Sequence, residues 1–221
     1  MPQTILITGA NRGIGLALTR LYLQRGDRVY AVCRETSTEL DQTGADIITG
    51  IDVTEPDNIK TLQQRLRGIS LNLLINNAGI FKKETLDAMD FNAIGEQLAI
   101  NAVAPLRVTH AMLANLHKGS KVALITSRMG SIGDNGSGSY YGYRMSKAAL
   151  NAAGKSLALD LKAGGISVAI LHPGMVSTRM VGFAGDVSPE QSASGLAARI
   201  DALTLTTSGT FWHANGEILP W

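Results

Sequence analysis

Cysteine is nearly absent: Cys33 is the only one in 221 residues, so no internal disulfide can form. The four histidines do not stand with it at metal-ligand spacing. A reducing cytoplasm and no bound metal are the expectations. Long apolar runs are also missing. Nothing approaches 18 consecutive apolar residues, and the start, MPQTILITGA, lacks a basic region followed by an apolar stretch and a cleavage site. No membrane span, anchor or export signal is expected. Charge of one sign is lacking too, the formal balance being +2, with basic residues scattered and Lys82-Lys83 among the few adjacent pairs. That pattern offers no footprint for a phosphate backbone, so nucleic acid is not an expected partner. There is no repeat, low-complexity tract or break in composition to mark a linker. What remains is 45% hydrophobic and 17% charged, enough to bury one core, and the length fits a single domain over 1–221.

Six short apolar runs recur along the chain: TILIT (4–8), RVYAVC (28–33), DIITGI (46–51), NLLIN (72–76), KVALIT (121–126) and SVAIL (167–171). Helical spacing lies between them, as in Ile14, Leu18 and Leu21, or Ile59, Leu62 and Leu66. This alternation predicts a parallel sheet covered by helices on both faces. A further helix is expected from about Gly95, carrying Leu98, Ala102 and Leu106, with Pro105 bending it or marking an early turn. The Gly/Ser-rich stretch 130–142 reads as a loop, and the tail GTFWHANGEILPW as a last edge strand.

TGANRGIG, Thr8 to Gly15, follows the first strand and opens a helix, the context in which main chain can approach a dinucleotide phosphate. Its spacing, Gly9, Gly13, Gly15, departs from GxGxxG, and no GK[ST] ends the turn, which excludes a P-loop. An NAD site would place a carboxylate at the end of the second strand, whereas this chain has Cys33 and Arg34 there. A guanidinium binds a 2′-phosphate that a carboxylate would repel, so Arg34 with Arg12 points to NADP. The alternative is Arg34 as a solvated strand-end cation, with Glu35 on the ribose.

Three tyrosines crowd SGSYYGYRMSK, residues 137–147. On a helix, residues four apart share a face, which pairs Tyr140 with Arg144, Tyr141 with Met145 and Tyr143 with Lys147. A free phenol, with a pKa of about 10, is a poor acid or base at neutral pH. An ammonium about 4 Å away at an effective dielectric near 20 is worth about 4 kcal/mol, or roughly three pKa units. Lys147 is therefore expected to bring Tyr143 near neutrality, where it exchanges protons with a carbonyl or alcohol oxygen. Ser127 ends the strand KVALITS at the carboxyl edge of the sheet and is the expected hydrogen-bond donor to the same oxygen. Ser131 and Ser137, in the loop, compete for that role. His172, at the head of a Pro-Gly turn, reads as structural, and Met175 and Met180 as candidates for the pocket mouth.

With TGANRGIG, NNAG (76–79), Asn101, Ser127, YRMSK (143–147) and HPGMVST (172–178) in this order, the chain resembles the short-chain dehydrogenase/reductase family over nearly its whole length. The compact length, the YRMSK wording and the ending GEILPW are most similar to the short carbonyl reductases of C-factor and sniffer type. The resemblance implies a doubly wound α/β Rossmann fold with a sheet of about seven strands. It implies a catalytic set of Ser127, Tyr143, Lys147 and Asn101, the last holding a water beside Lys147 through its main-chain carbonyl. It further implies NADP(H) contacts from Gly9, Asn11, Arg12, Gly13, Ile14 and Gly15; from Arg34, Asp52 and Val53; from Asn77, Ala78 and Gly79; and from Pro173, Gly174, Val176 and Thr178, besides Tyr143 and Lys147. Asp52 would lie near the adenine amino group and Thr178 would anchor the carboxamide. Two departures bear on the substrate pocket: Ser127 precedes Tyr143 by 16 residues, through an enlarged Gly/Ser loop, and only ten residues separate Thr178 from Pro189, where relatives carry a longer lid. The expected activity is NADPH-dependent hydride transfer between the nicotinamide and a small carbonyl or alcohol substrate. The alternative is a cofactor-binding signalling or structural protein with incidental reductase activity. A sugar-nucleotide epimerase is disfavoured, since no second domain is present. A homodimer or homotetramer is expected from the family.

Overall fold

The computed structural model describes residues 2–221. Seven parallel strands form one sheet in the order β3-β2-β1-β4-β5-β6-β7. They are β1 (Thr4–Thr8), β2 (Arg28–Val32), β3 (Asp46–Ile48), β4 (Leu71–Asn76), β5 (Leu116–Ile125), β6 (Ser167–His172) and β7 (Phe211–His213). Between them run α1 (Gly13–Gln24), α2 (Thr38–Asp41), α3 (Pro56–Arg65), α4 (Phe91–Leu98), α5 (Ala104–Ala111), α6 (Tyr141–Asp160) and α7 (Pro189–Asp201). The order reverses between β1 and β4, so a crevice opens at the carboxyl ends of those strands.

Side-chain alternation explains why the strands read as unbroken apolar runs. Ile5, Ile7, Leu73 and Ile75 point to one face and pack under α1 and α7 through Leu18, Tyr22, Leu196 and Ile200. Leu6, Leu74, Val122 and Leu124 point to the other face, against Ile59, Leu62, Val108 and Leu150. Both faces are dry, and each such side chain contributes roughly 1.5–3 kcal/mol by burial.

Three boundaries differ from the sequence reading. β5 begins at Leu116 rather than 121, because a register shift between Leu71 and Leu73 lets the polar stretch HKGS pass beside β4, with Gly119 at φ +93°. β3 stops at Ile48, ahead of Gly50 at φ +76°. The helix expected from Gly95 starts at Phe91, where the Asp90 side chain accepts from the Ala93 N–H at 3.0 Å. It then widens into a π turn, Ala99–Val103, ahead of α5. Pro105 is four residues beyond Asn101 and has no N–H to give to the Asn101 carbonyl, which accounts for the departure from α geometry. The tail forms the expected edge strand, β7, on which the Trp221 ring stacks against Phe211 at 5.6 Å. Among the described residues no helix is long and apolar enough to cross a membrane.

Candidate active site

The glycine turn lies where β1 feeds α1. Gly9 (φ +66°) and Gly13 (φ +53°) occupy left-handed backbone. A Cβ on Gly9 would stand 2.9 Å from the Ala78 Cα, and one on Gly15 2.2 Å from the Gly9 carbonyl oxygen. The turn is thus stitched to the end of β4. Asn77 Nδ2 donates to the carbonyls of Thr8 and Gly9 at 3.0 and 3.1 Å, while Thr8 Oγ1 accepts from the Asn77 and Ala78 N–H groups at 3.1 and 3.2 Å. NNAG thus joins the end of β4 to the glycine turn, and Thr8, unassigned from the sequence, is the other half of the joint. Across the crevice, Thr178 Cγ2 lies 3.3 Å from where a Gly13 Cβ would be, so the loop after β6 closes on the phosphate turn.

At the end of β2, Arg34 is exposed and its Nη1 lies 3.7 Å from Asp52 Oδ2. Asp52 is already engaged by the Thr54 N–H and hydroxyl at 2.9 and 2.7 Å, and those bonds together with Arg34 hold its carboxyl below the usual range against the opposing effect of partial burial. Asn11 spans the gap, with Nδ2 donating to the Glu35 carbonyl and its own carbonyl accepting from the Ser37 hydroxyl.

β5 delivers Thr126 and Ser127 to the same edge, and α6 carries Tyr143 and Lys147 along its first turns. Of the three tyrosines, Tyr141 faces solvent, Tyr140 stacks on Phe81 at 5.6 Å, and Tyr143 lies beside Lys147, whose Nζ is 5.7 Å from the ring centre. The three candidate serines separate as well. Ser131 donates to the Trp221 carbonyl, Ser137 accepts from Arg144, and Ser127 is the one whose side chain acts on the Tyr143 phenol, drawing its pKa down. Asn101 is fully buried in the π turn, its amide bonded to both polar main-chain atoms of Ile80 and to Ser146. Asn101 Oδ1 and Lys147 Nζ both border Gly79, at 3.1 and 3.8 Å from where its Cβ would lie.

The electrostatics correct one expectation. Burial pushes the Tyr143 phenol up to about 12, and the Ser127 side chain draws it back only in part. The net shift is thus upward rather than the lowering expected from Lys147, whose Nζ donates to the Ile125 carbonyl at 2.9 Å and lies 5.7 Å from the ring centre. Burial also brings Lys147 itself down to about 8.

A profile of the short chain dehydrogenases matches residues 3–187. A 1-hydroxy-2-glutathionyl-2-methyl-3-butene dehydrogenase of Rhodococcus sp. (strain AD45) is 40% identical over 99% of this chain and 100% of its own. The chain belongs to the short chain dehydrogenase family. Among solved structures, the carbonyl reductase Sniffer of D. melanogaster superposes with a TM-score of 0.92 at 30% identity, covering 100% of both chains. The NADPH-bound carbonyl reductase from chicken fatty liver superposes with a TM-score of 0.89 at 31% identity, covering 100% of this chain and 99% of its own.

Several features of this short chain dehydrogenase had no signal in the sequence. Phe81 packs edge-on against Tyr143, with centroids 4.9 Å apart. Arg144, read as an ordinary surface cation, laces the enlarged loop, donating to the carbonyls of Gly138 and Ser139, both at 3.2 Å, and to the Ser137 hydroxyl at 2.9 Å. Glu84 is buried beneath the start of α6. Only Phe81, two residues past NNAG, was close enough to a motif for position to have suggested it.

Proposed function

We propose that this short chain dehydrogenase is an NADPH-dependent reductase of small carbonyl compounds, with Tyr143 as proton donor. The observation that carries the reading is that Ser127 and buried Lys147 are brought beside Tyr143, at the carboxyl edge where the glycine turn opens. The glycine turn supports a dinucleotide, since Gly9 and Gly15, with no room for a Cβ against Ala78 and the Gly9 carbonyl, form a tight turn that opens onto the α1 N-terminus, where N–H groups and the helix dipole favour phosphate. Arg34 and Arg12, both exposed beside that turn, suit a 2′-phosphate. Asp52 and Thr178 are the residues that would hold the adenine and carboxamide ends.

When bound, the nicotinamide supplies a hydride to the substrate carbonyl carbon. Tyr143, kept protonated by its raised pKa, gives its proton to the oxygen as negative charge develops there, and the product is the alcohol. Ser127 donates to the same oxygen from a second direction. Lys147 supplies the positive charge that stabilises the tyrosinate left behind, and the Asn101 carbonyl, deprived of its N–H partner by Pro105, is the acceptor that would hold a water leading a proton back from solvent. The reverse, alcohol oxidation, uses the same groups.

The test is purified protein with NADPH and a panel of dicarbonyls, aldehydes and quinones, with a glutathionyl alcohol and NADP for the reverse direction. Tyr143→Phe should abolish turnover and leave NADPH affinity unchanged. Parental rates in that variant would refute the assignment, and NADPH binding with silence across the panel would favour a cofactor-binding role.

A further inference from the structure

We propose that Glu84 is a positioning residue for Tyr143, acting as an N-terminal cap delivered from another segment to the helix that bears it. The inference rests on the reading of Tyr143 given above.

α6 runs for 20 residues, and the residue before it supplies no side-chain cap. That residue, Tyr140, is in left-handed backbone (φ 56°, ψ 41°), and so is Ser139 (φ 55°). Non-glycine residues rarely persist there unless neighbouring bonds hold them. The bonds come from opposite sides. Arg144 takes the Gly138 and Ser139 carbonyls, and the Glu84 carbonyl accepts from the Tyr140 N–H at 2.8 Å. The Glu84 side chain then completes the start of the helix, Oε2 accepting from the Gly142 N–H at 3.3 Å.

Glu84 is 1% exposed, and among the described residues no ion pair includes it. A carboxyl group is costly to bury unless hydrogen-bonded, and here its partners are Gly142 and Gln97 Nε2, the latter at 2.5 Å. Gln97 is fully buried on α4 and turns its Oε1 to the Lys82 N–H at 2.9 Å. The fit is mutual, since a Cβ on Gly142 would lie 2.5 Å from Gln97 Nε2 and 3.0 Å from Glu84 Oε1. Gly142 directly precedes Tyr143. Three residues before Glu84, Phe81 braces the Tyr143 ring at 4.9 Å. One loop therefore holds both the main chain entering Tyr143 and its ring.

The experiment compares Glu84→Ala, Glu84→Asp and Glu84→Gln. Ala removes the cap and Asp withdraws the carboxyl by one methylene, so both should lower kcat about tenfold by misplacing the phenol. NADPH affinity should stay within about twofold, because the glycine turn is untouched. Gln keeps an amide oxygen for Gly142 but turns its Nε2 towards Gln97 Nε2, for which the carboxylate had been the acceptor, so it should recover kcat only in part, to between Ala and the parent. Hydrogen exchange at residues 140–143 of the NADP-loaded protein should rise most in Ala and Asp and less in Gln, a readout that requires no turnover. Parental kcat and unchanged exchange in the Asp variant would overturn the proposal, as would kcat and NADPH affinity falling together. The Tyr143→Phe control separates the two readings: if that variant is silent while the Glu84 variants turn over normally, this inference alone fails.

Discussion

Lys147 Nζ donates to the main-chain carbonyl of Ile125 at 2.9 Å, which ties the cation to the strand end that presents Ser127 two residues later. The same burial that brings Lys147 down to about 8 pushes Tyr143 up to about 12. The phenol is therefore protonated throughout the working range, and the group that titrates within it is the lysine. In the proposed mechanism the charge on Lys147 would stabilise the tyrosinate formed as the proton leaves, so losing that charge would remove part of the driving force.

The pH profile follows from this order. For carbonyl reduction, kcat/KM, which reports the free enzyme, should be level up to about pH 7 and decline above about pH 8 as Lys147 deprotonates. Initial rates between pH 6 and 9.5 in a constant-ionic-strength buffer check it. A profile still level at pH 9.5 would show that the charge on Lys147 is not needed.

Gly130 supplies a steric test of the same geometry. A Cβ there would stand 2.7 Å from the Lys147 carbonyl carbon and 2.9 Å from its Cβ, so Gly130→Ala must displace α6 at the lysine. Turnover should fall by more than about tenfold while the protein stays folded, since a shift of about 1 Å in a reacting group is enough for such a loss. Gly136→Ala is the matched control in the same loop, because nothing lies within 4 Å of its Cβ position. Equal activity in the two variants would contradict this placement of the loop.

The parallel sheet was legible because Ile5, Leu6 and Ile7 are buried on alternate faces, and a strand with no wet side must be apolar throughout. That Tyr143 is the tyrosine lying beside Lys147 was legible from helical spacing alone. What escaped the sequence was set by contacts between distant segments. Glu84 reaches Gly142 across 58 positions, and the register shift that starts β5 at Leu116 depends on its neighbour, β4. The direction of the tyrosine pKa was misjudged for a related reason: a separation of about 4 Å in a partly wet setting favours lowering, whereas folding sets Nζ 5.7 Å from the ring centre, where it donates to a carbonyl, and raises the phenol by burial.

Cofactor choice should rest on Arg34. Its ion pair with Asp52 is long, at 3.7 Å, and exposed, so it costs little to give up when a phosphate arrives. Arg34→Asp should reduce kcat/KM for NADPH by roughly 100-fold or more and leave that for NADH the same or higher, since a 2′-phosphate exchanges a charge-assisted partner for a like charge. Initial rates with both cofactors measure the ratio, and an unchanged ratio would reject the assignment.

His172 should carry part of the acid sensitivity of the fold. It closes β6, its ring packs edge-on against His213 at 4.8 Å, and its buried Nδ1 has no hydrogen-bond partner. Burial first, then the neighbouring His213, Arg128 and Lys147, bring its pKa down to about 3. The unfolded chain binds this proton near pH 6.5, which the folded protein refuses, so stability is complete above that pH and lost as pH falls towards 3. Between pH 7 and 4.5 the loss from this one group should be about 2 kcal/mol. His172→Leu removes the site of protonation, so its urea midpoint should fall less than the parent's over the same interval. Parallel falls in the two proteins would place the acid sensitivity in other groups.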